Sequence, residues 1–469
     1  SRRCQRQGEG RWRFSRLHDA PAVVDYCRVD HAVALWHGAE RGLARLLDRV
    51  CQLEVALEAW CGPGAPTELR EELFDLYRLG FEAFTAKGIV DASASEPPPR
   101  GTLLDAMAAG RRPSTSSAER SRPPELSRPR ARILAVYLPQ FHPVPENDLW
   151  WGRGFTEWTN VSRARPLFDG HYQPHLPGGL GFYDLRVPET RASQAALAAR
   201  HGVEGFCYWH YWFEGRRLLG RPFEEVLLSG QPDYPFCLAW ANESWSRRWL
   251  GEDRDVLLAQ TYSESDDLDH ARWLTGAFAD RRYVRVEGRP VFLVYRPFDL
   301  PDPWRTTDVI RRECMKAIHI EPLLVGVDAY SPHLDARDIG FDATLGLEPL
   351  LGVVGDGGAS GLKVMDYAEG RTRMTAARQL GPSYRSIFVG WDNSPRRGDD
   401  GIVFTDATPE RFESGLRELV EAVSDRPFDD RLVFVNAWNE WAEGNHLEPD
   451  RRHGLAFLEA VSRAVYVRP

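Results

Sequence analysis

Two glutamates near the C-terminus have the residue types for acid–base chemistry. In "VFVNAWNEWAEGNHLEP", residues 433–449, an apolar run gives way to Glu440 and Glu443, which are framed by tryptophans. Two carboxylates that flank a bond are the standard groups for glycosidic cleavage. Side chains three positions apart point to opposite faces of a strand but share one face of a helical turn. Joint chemistry therefore requires the strand to end near Asn439 and the chain to turn, which Gly444 favours.

Two other patterns suggest different chemistry, and both are weaker. His171 and His175 in "GHYQPHL" have a metal-like spacing, but Pro174 disfavours the helix that would bring them together. Asp253 and Asp255 in "EDRDV" match a pattern of metal-dependent sugar-nucleotide transferases. A pattern this short arises easily by chance, and it precedes an apolar run instead of following one. The sequence therefore predicts no metal and no cofactor.

Eight short apolar runs after residue 130 predict the elements that position these glutamates. The runs cover residues 132–142, 202–212, 234–243, 289–297, 321–330, 341–349, 384–393 and 431–441. Helical patterns lie between most of them, at 188–202, 265–280 and 408–424 among others. Alternating strands and helices favour a parallel sheet with crossover helices. Eight such units predict a closed (β/α)8 TIM barrel over residues 131–469.

In such a barrel the C-terminal ends of the strands carry the chemistry. The predicted substrate-binding residues therefore come from these ends and from the long loop after the first strand. They are His142, Trp150, Trp151, Trp158, His210, Trp212, Asn242, Glu243, Trp245, Tyr295, Trp391, Asp392, Trp438, Asn439 and Trp441. The loop from 139 to about 187 is long enough to be a lid or a pocket wall. In this setting Glu440 and Glu443 are predicted to be catalytic, in preference to two solvated glutamates at a rim.

The N-terminal part of the chain differs from the predicted barrel in sequence pattern and composition. Residues 30–60 and 68–85 each carry an amphipathic helical pattern, so residues 1–91 are predicted to form a small helical region for docking or spacing. Residues 92–130 are rich in Ser, Pro and Arg, which predicts a disordered linker. The chain starts without Met, as a piece of a longer protein would. Fused or partner glycosyltransferase domains are candidate neighbours of this N-terminal region.

Composition limits the class of protein. A chain of 469 residues is too long for one ordinary core, and 43% hydrophobic with 27% charged residues is typical of soluble proteins. The net charge of −9 disfavours nucleic acid and anionic membranes as partners. No apolar run reaches the ~18 residues of a membrane span. Seven scattered cysteines without a CxxC pair predict buried thiols in a reducing, cytoplasmic compartment.

Four blocks of the sequence resemble a known family. They are "YLPQFHPVPENDLWWGRGFTEW", "GFCYWHYWF", "PFCLAWANESWSRRW" and "FVNAWNEWAEGNHLEP". Together they are similar to WbsX-type proteins of bacterial surface-polysaccharide clusters, usually labelled glycosyltransferases, over about residues 131–465. That family is in turn similar to the endo-α-mannosidase glycoside hydrolases of family ninety-nine. Those enzymes are (β/α)8 barrels and carry an NEWxEG block.

The resemblance implies roles for both glutamates. Glu440 would act as a base on the substrate's own 2-hydroxyl and form a transient anhydro sugar. Glu443 would protonate the leaving oxygen and later activate water. The predicted function is therefore cleavage of a glycosidic bond in a bacterial polysaccharide or oligosaccharide. A glycosyltransferase of polysaccharide biosynthesis and a non-catalytic glycan-binding barrel, whose tryptophans stack on sugars, are the alternatives.

Overall fold

A computed structural model describes most of the C-terminal part of the chain and three short segments near the N-terminus. The described ranges are 2–6, 11–16, 22–25, 128–247, 252–329, 335–349, 361–377 and 383–466. The chain divides into two compact units, Ser1–Pro124 and Glu125–Pro469.

In the first unit the described segments form one small sheet. Strands Arg2–Arg6, Arg11–Arg16 and Ala22–Asp25 pair in sequence order, and both pairings are antiparallel. The helices predicted within residues 30–85 and residues 92–127 of the predicted linker lie outside the described residues. Those assignments therefore remain predictions.

Eight parallel strands of the second unit close into a barrel. They are β1 (Arg132–Tyr137), β2 (Val203–Phe213), β3 (Phe236–Trp240), β4 (Arg289–Val294), β5 (Leu323–Asp328), β6 (Ala343–Gly346), β7 (Ser383–Phe388) and β8 (Leu432–Asn436). Each strand pairs with the next along the chain. The last strand pairs back onto the first, with Leu432 opposite Arg132. The predicted (β/α)8 barrel is confirmed, and all eight predicted strands are present.

Among the described residues, helices lie between most of the consecutive strands, and one helix follows the last strand. They are α1 (Pro145–Trp151), α2 (Glu157–Arg163), α3 (Pro188–Arg200), α4 (Arg221–Ser229), α5 (Glu264–Phe278), α6 (Pro303–Ile318), α7 (Tyr367–Ala377), α8 (Ser394–Arg397), α9 (Pro409–Ala422) and α10 (Ala456–Val465). Side chains of Ser263, Asp302 and Thr408 cap α5, α6 and α9 by accepting a backbone N–H. Within the described ranges, no helix has both the length and the apolar character needed to cross a membrane.

Short strand pairs lie in the segments that follow the C-terminal ends of the barrel strands. Arg216–Leu218 folds back on β2, Trp245–Arg247 pairs with Glu252–Leu258, Lys363–Asp366 pairs with Ile402–Thr405, and Asn439–Glu440 pairs with Asn445–His446. The barrel strands themselves are buried along their length; every residue of β1 and β8 is buried. Strands covered on both faces read as continuous apolar runs, which is why they could be found from sequence.

Candidate active site

The chain turns sharply after β8, and this turn presents the two glutamates. A 3-10 turn over Trp441–Glu443 separates the paired segments Asn439–Glu440 and Asn445–His446. Gly444 ends the turn with φ of +57°, and a Cβ there would lie 3.0 Å from Cβ of Asp392. A residue with a side chain would therefore meet both backbone strain and a clash. The predicted end of the strand and the turn at glycine are both present.

Both glutamates bind one arginine, Arg396 of α8. Its Nη2 donates to Oε2 of Glu440 at 2.9 Å, and its Nη1 donates to Oε1 of Glu443. Its Nε donates to Oε1 of Glu157 at 2.7 Å, at the start of α2. Burial lowers the pKa of Arg396, but the three carboxylates outweigh burial and hold it well above the usual value.

The charges around the pair give the two carboxyl groups different properties. Burial raises the pKa of Glu443 to about 8; Arg396 opposes this, while Glu440 and Glu157 add to it. Burial also raises the pKa of Glu440, but Arg396 and a hydrogen bond from Trp209 favour its ionised form. The surroundings of Glu443 therefore favour its protonated form. A carboxyl group with a raised pKa is suited to the role of a general acid.

Trp209 and Tyr211 lie near Glu440, and three more aromatic side chains pack against them or against each other. This aromatic wall consists of Trp150, Trp209, Tyr211, Trp245 and Tyr295. Ring centroids are 5.2 Å apart for Trp209 and Tyr295, 5.2 Å for Tyr211 and Trp245, and 5.7 Å for Trp150 and Trp245. Burial raises the pKa of Tyr211, and the charge of Glu440 adds to this effect, which places its hydroxyl near the pair. Trp209 and Tyr211 are half-buried.

The residues that alternate with Trp209 and Tyr211 on β2 face the helix layer instead. His210 stacks on Trp273 of α5 with ring centroids 4.5 Å apart, and its Nε2 lies 3.0 Å from Nε2 of His270. Trp212 donates from Nε1 to Asp266 at 2.8 Å. Because successive side chains of a strand alternate between its faces, one of the two sets must point away from Glu440. The structure places His210 and Trp212 in that set.

Two predicted asparagines hold neighbouring strand ends together. Asn439 accepts from N of Leu138 at 2.7 Å and donates to its O at 3.0 Å. Asn242 accepts from N of Arg296 at 2.7 Å and donates to its O at 2.9 Å. Each side-chain amide thus takes the place of a peptide group beyond the end of a strand. Their polar atoms are engaged by the backbone.

Four of the predicted tryptophans have a packing role that supports the glutamate pair. Trp438 and Trp441 are buried, and Trp391 belongs to a second apolar cluster beside the barrel core. Trp441 donates to Glu448, and the Trp158 ring packs 5.5 Å from that of Trp441. Burial raises the pKa of Glu448 to about 7, and donated hydrogen bonds from Trp441 and other side chains oppose this. These rings fix the position of the turn.

Asp392 links the turn to the long loop after β1 through hydrogen bonds. Its backbone N–H donates to O of Glu443 at 2.6 Å. Its carboxylate accepts from Nε2 of His171 at 2.7 Å and from Gln173 at 2.5 Å. Nδ1 of His171 accepts from N of Leu167, so the proton is on Nε2. His171, the first histidine of the predicted metal-like pair, is therefore engaged with Asp392.

The other three predicted residues are His142, Trp151 and Glu243. Nδ1 of His142 lies 2.9 Å from O of Pro139, and Trp151 packs on Phe155 with ring centroids 5.9 Å apart. Glu243 accepts from Nη2 of Arg296 at 3.0 Å, and its charge contributes to the raised pKa of Glu443. Glu243 therefore belongs to the electrostatic surroundings of the pair.

Sequence reasoning missed four residues of the site, Glu157, Trp209, Tyr211 and Arg396. Glu157 lies in the block "GFTEW", and Arg396 lies in "NSPRR" a few residues after a strand end. Their pairing explains why the Glu157 carboxylate can be buried, but no local sequence pattern shows that pairing. Trp209 and Tyr211 alternate with residues that were predicted.

The acidic pattern at Asp253 and Asp255 lies in the strand Glu252–Leu258, which pairs with Trp245–Arg247. This strand begins the connection from β3 to α5. The backbone thus places the pattern inside a strand, on the segment adjoining Trp245.

Comparison with known sequences gives a family match over most of the barrel. The family described as glycosyltransferase WbsX matches residues 133–461. Two curated proteins, both named uncharacterized protein WxcX and from two strains of Xanthomonas campestris pv. campestris, are 43% identical over 351 residues. The match covers 72% of this chain and 50% of each relative. The chain thus spans about half the length of the curated relatives it matches.

Solved structures with a similar backbone fold have much lower sequence identity to this chain. A GH99 endo-alpha-mannosidase from Bacteroides thetaiotaomicron, in complex with BIS-TRIS-propane, has 12% identity and a TM-score of 0.45, and covers 71% of this chain and 95% of that one. A glycoside hydrolase-like protein has 13% identity and a TM-score of 0.49, and covers 74% and 98%. At such identity neither is a basis for transferring a substrate.

Proposed function

The chain belongs to the WbsX glycosyltransferase family, and on that premise we propose that it is a carbohydrate-active enzyme. We further propose that it cleaves a glycosidic bond in a bacterial surface polysaccharide or oligosaccharide. The observation that carries the proposal is the pair Glu440 and Glu443 on the two Nη atoms of Arg396. One carboxyl group of this pair favours its protonated form because burial raises the pKa of Glu443 to about 8.

The proposed reaction assigns each proton to an atom. Glu443 gives its proton to the glycosidic oxygen as the bond from that oxygen to C1 breaks. Glu440 takes the proton of the 2-hydroxyl, and O2 forms a bond to C1, which gives an anhydro sugar. Water then attacks C1 as Glu443 accepts a proton from that water, the bond from O2 to C1 breaks, and Glu440 returns its proton to O2. The products are two shorter sugars, and both glutamates regain their starting forms.

The aromatic wall supports a sugar substrate. Apolar ring faces with a few polar groups are the usual lining of a small-molecule site, and the apolar face of a pyranose ring fits such a surface. A glycan-binding barrel would need this wall but would have no use for a buried acid beside Glu440. The raised pKa of Glu443 therefore favours an enzyme over a binding module.

Transfer to an acceptor sugar is the second candidate, and the family description favours it. In one version the same pair acts and a sugar hydroxyl replaces water in the second step. In the other a sugar nucleotide is the donor and Asp253 and Asp255 serve it through a metal ion. The two versions differ in the residues on which turnover depends.

The test is incubation of the full chain with a panel of surface polysaccharides and oligosaccharides, with and without sugar nucleotides, read by mass spectrometry. Wild type, Glu440→Gln, Glu443→Gln and an Asp253→Asn/Asp255→Asn double variant are compared. An exposed glutamate on α10, Glu459, supplies the control Glu459→Gln. Cleavage that needs both site glutamates supports the proposal. Turnover that needs a sugar nucleotide and the aspartates, with both glutamates dispensable, overturns it in favour of transfer.

A further inference from the structure

A cluster of metal-ligating side chains lies beside the turn and apart from the glutamate pair. His175 comes from the long loop after β1, and His446 and Asp450 follow the turn after β8. One ligand atom of each of these residues lies within 4.8 Å of the other two. The sequence suggested His171 as the partner of His175, but the structure pairs His175 with His446, and Nδ1 lies 3.0 Å from Nε2.

The backbone contact of His446 directs the lone pair of its Nε2 into this cluster. Its Nδ1 lies 3.0 Å from the carbonyl oxygen of Glu448. A carbonyl can only accept, so Nδ1 carries the proton and Nε2, the atom facing His175, carries the lone pair. Metal-binding histidines are held in this way, with the second ring nitrogen donating to a carbonyl or carboxylate. The His446 ring also stacks on Trp441 at 3.7 Å, which fixes its plane.

The carboxylate of Asp450 is oriented by its own contacts. Oδ1 accepts from N of His453 at 2.5 Å, and Oδ2 lies 3.4 Å from the hydroxyl of Tyr172. Asp450 and His446 are each 5% exposed, so neither is a solvated surface group.

We propose that His175, His446 and Asp450 form a binding site for a divalent transition-metal ion, with Zn²⁺ as the best match. Two imidazole nitrogens and one carboxylate oxygen are a ligand set that zinc takes, with a fourth position left to water. The alternative is a metal-free contact in which Nδ1 of His175 donates to Nε2 of His446.

The ion would join two loops that already meet at the backbone. N of Gly178 donates to O of Pro449 at 2.7 Å, and N of Arg451 donates to O of Leu176 at 2.9 Å. The His175 ring also lies within 3.3 Å of a Cβ placed on Gly444, next to Glu443. We therefore assign the ion a structural role, in which it holds the long loop against the turn that carries the glutamates.

The experiment measures metal binding and does not depend on turnover. The full chain is stripped with chelator, dialysed against Zn²⁺, and its zinc content is measured by mass spectrometry. Thermal unfolding with and without Zn²⁺ is measured in parallel. Wild type is compared with His175→Asn and with His319→Asn, which removes an exposed histidine at a left-handed position that asparagine tolerates.

We expect wild type and His319→Asn to retain one more zinc equivalent than His175→Asn. We also expect Zn²⁺ to raise the melting temperature of those two proteins only. As a folded-state check, His175→Cys loaded with Co²⁺ should gain a thiolate-to-cobalt absorption band that wild type lacks. Zinc content and thermal shift that are the same in wild type and His175→Asn would overturn the proposal. A His175→Cys variant that folds but lacks the band would also overturn it.

Discussion

At the residue scale, one buried positive charge faces three carboxylates. If Glu157, Glu440 and Glu443 were all ionised beside Arg396, the group would carry a net charge of about −2 where water is largely excluded. Such an arrangement is costly, and the cluster relieves the cost by keeping a proton. Burial raises the pKa of Glu443 to about 8, which favours this carboxyl group as the one that keeps the proton.

The two glutamates should respond differently to the leaving group. Glu443→Gln should lose roughly 10²–10⁴-fold in rate on substrates with a poor leaving group, the usual scale for a positioned acid. It should lose much less on an activated aryl glycoside, whose leaving oxygen needs no proton. Glu440→Gln should be impaired on both, because its task precedes departure. Steady-state rates on matched substrates measure this, and equal losses for both variants on both substrates would contradict the roles.

The pH dependence of the rate should report the proton on Glu443. The acid form is the active one, so kcat/KM should fall as pH rises through about 8. Glu157→Gln removes a negative charge that raises the pKa of Glu443, so this limb should move to lower pH. Glu459→Gln, on the exposed face of α10, should leave it in place. A pH profile of kcat/KM for the three proteins checks the sign, and a shift of the Glu157→Gln limb to higher pH would refute it.

The sequence was sufficient for the candidate pair but not for its partners. Glu440 and Glu443 are three positions apart, so local spacing showed that they could act together. Glu157 and Arg396 form their ion pair across 239 positions. No local pattern encodes such a contact, because closure of the barrel creates it by bringing α2 and α8 to the same end. For this cluster of charges, the sequence predicted only the relation between residues that are close together in the chain.

At the element scale, the strands were predictable and their exits were not. Continuous apolar runs identified all eight barrel strands, since parallel strands are buried on both faces. The predicted runs extended past the last paired residue, as at β8, which ends at Asn436. Beyond that point the face of each side chain depends on how the chain leaves the sheet. His210 was therefore predicted at the site, whereas its neighbours Trp209 and Tyr211 lie there.

Asn439 should matter more for stability than for chemistry. Asn439→Ala leaves N–H and C=O of Leu138 buried without their side-chain partner, which should lower the free energy of unfolding by roughly 2–4 kcal/mol. Asn160→Ala is the matched control, because Nδ2 of Asn160 is buried with no hydrogen-bond partner among the described residues. Denaturant unfolding of both variants measures the difference. A stable Asn439→Ala enzyme with a large loss of rate would instead give the amide a catalytic role.

At the scale of the whole molecule, barrel closure gives the second unit a complete core of its own. The main apolar cluster runs from Ala131 on β1 to Val465 on α10. The pairing of β8 with β1 leaves the barrel sheet without an open edge between those strands. The first and last elements also meet where N of Arg130 donates to O of Val465 at 3.0 Å. Composition predicted a boundary near residue 130, and the compact units divide at Pro124.

A chain of residues 125–469 should therefore fold without the N-terminal unit. We expect one cooperative thermal transition, because every strand of the barrel and its closing pair are retained. A chain of residues 139–469 is the matched comparison. It lacks β1, so β2 and β8 would each expose an unpaired edge, and we expect aggregation or loss of cooperative unfolding. Circular dichroism during heating and size-exclusion chromatography distinguish the two. If the 125–469 chain behaves like the shorter one, the N-terminal unit completes the core of the barrel.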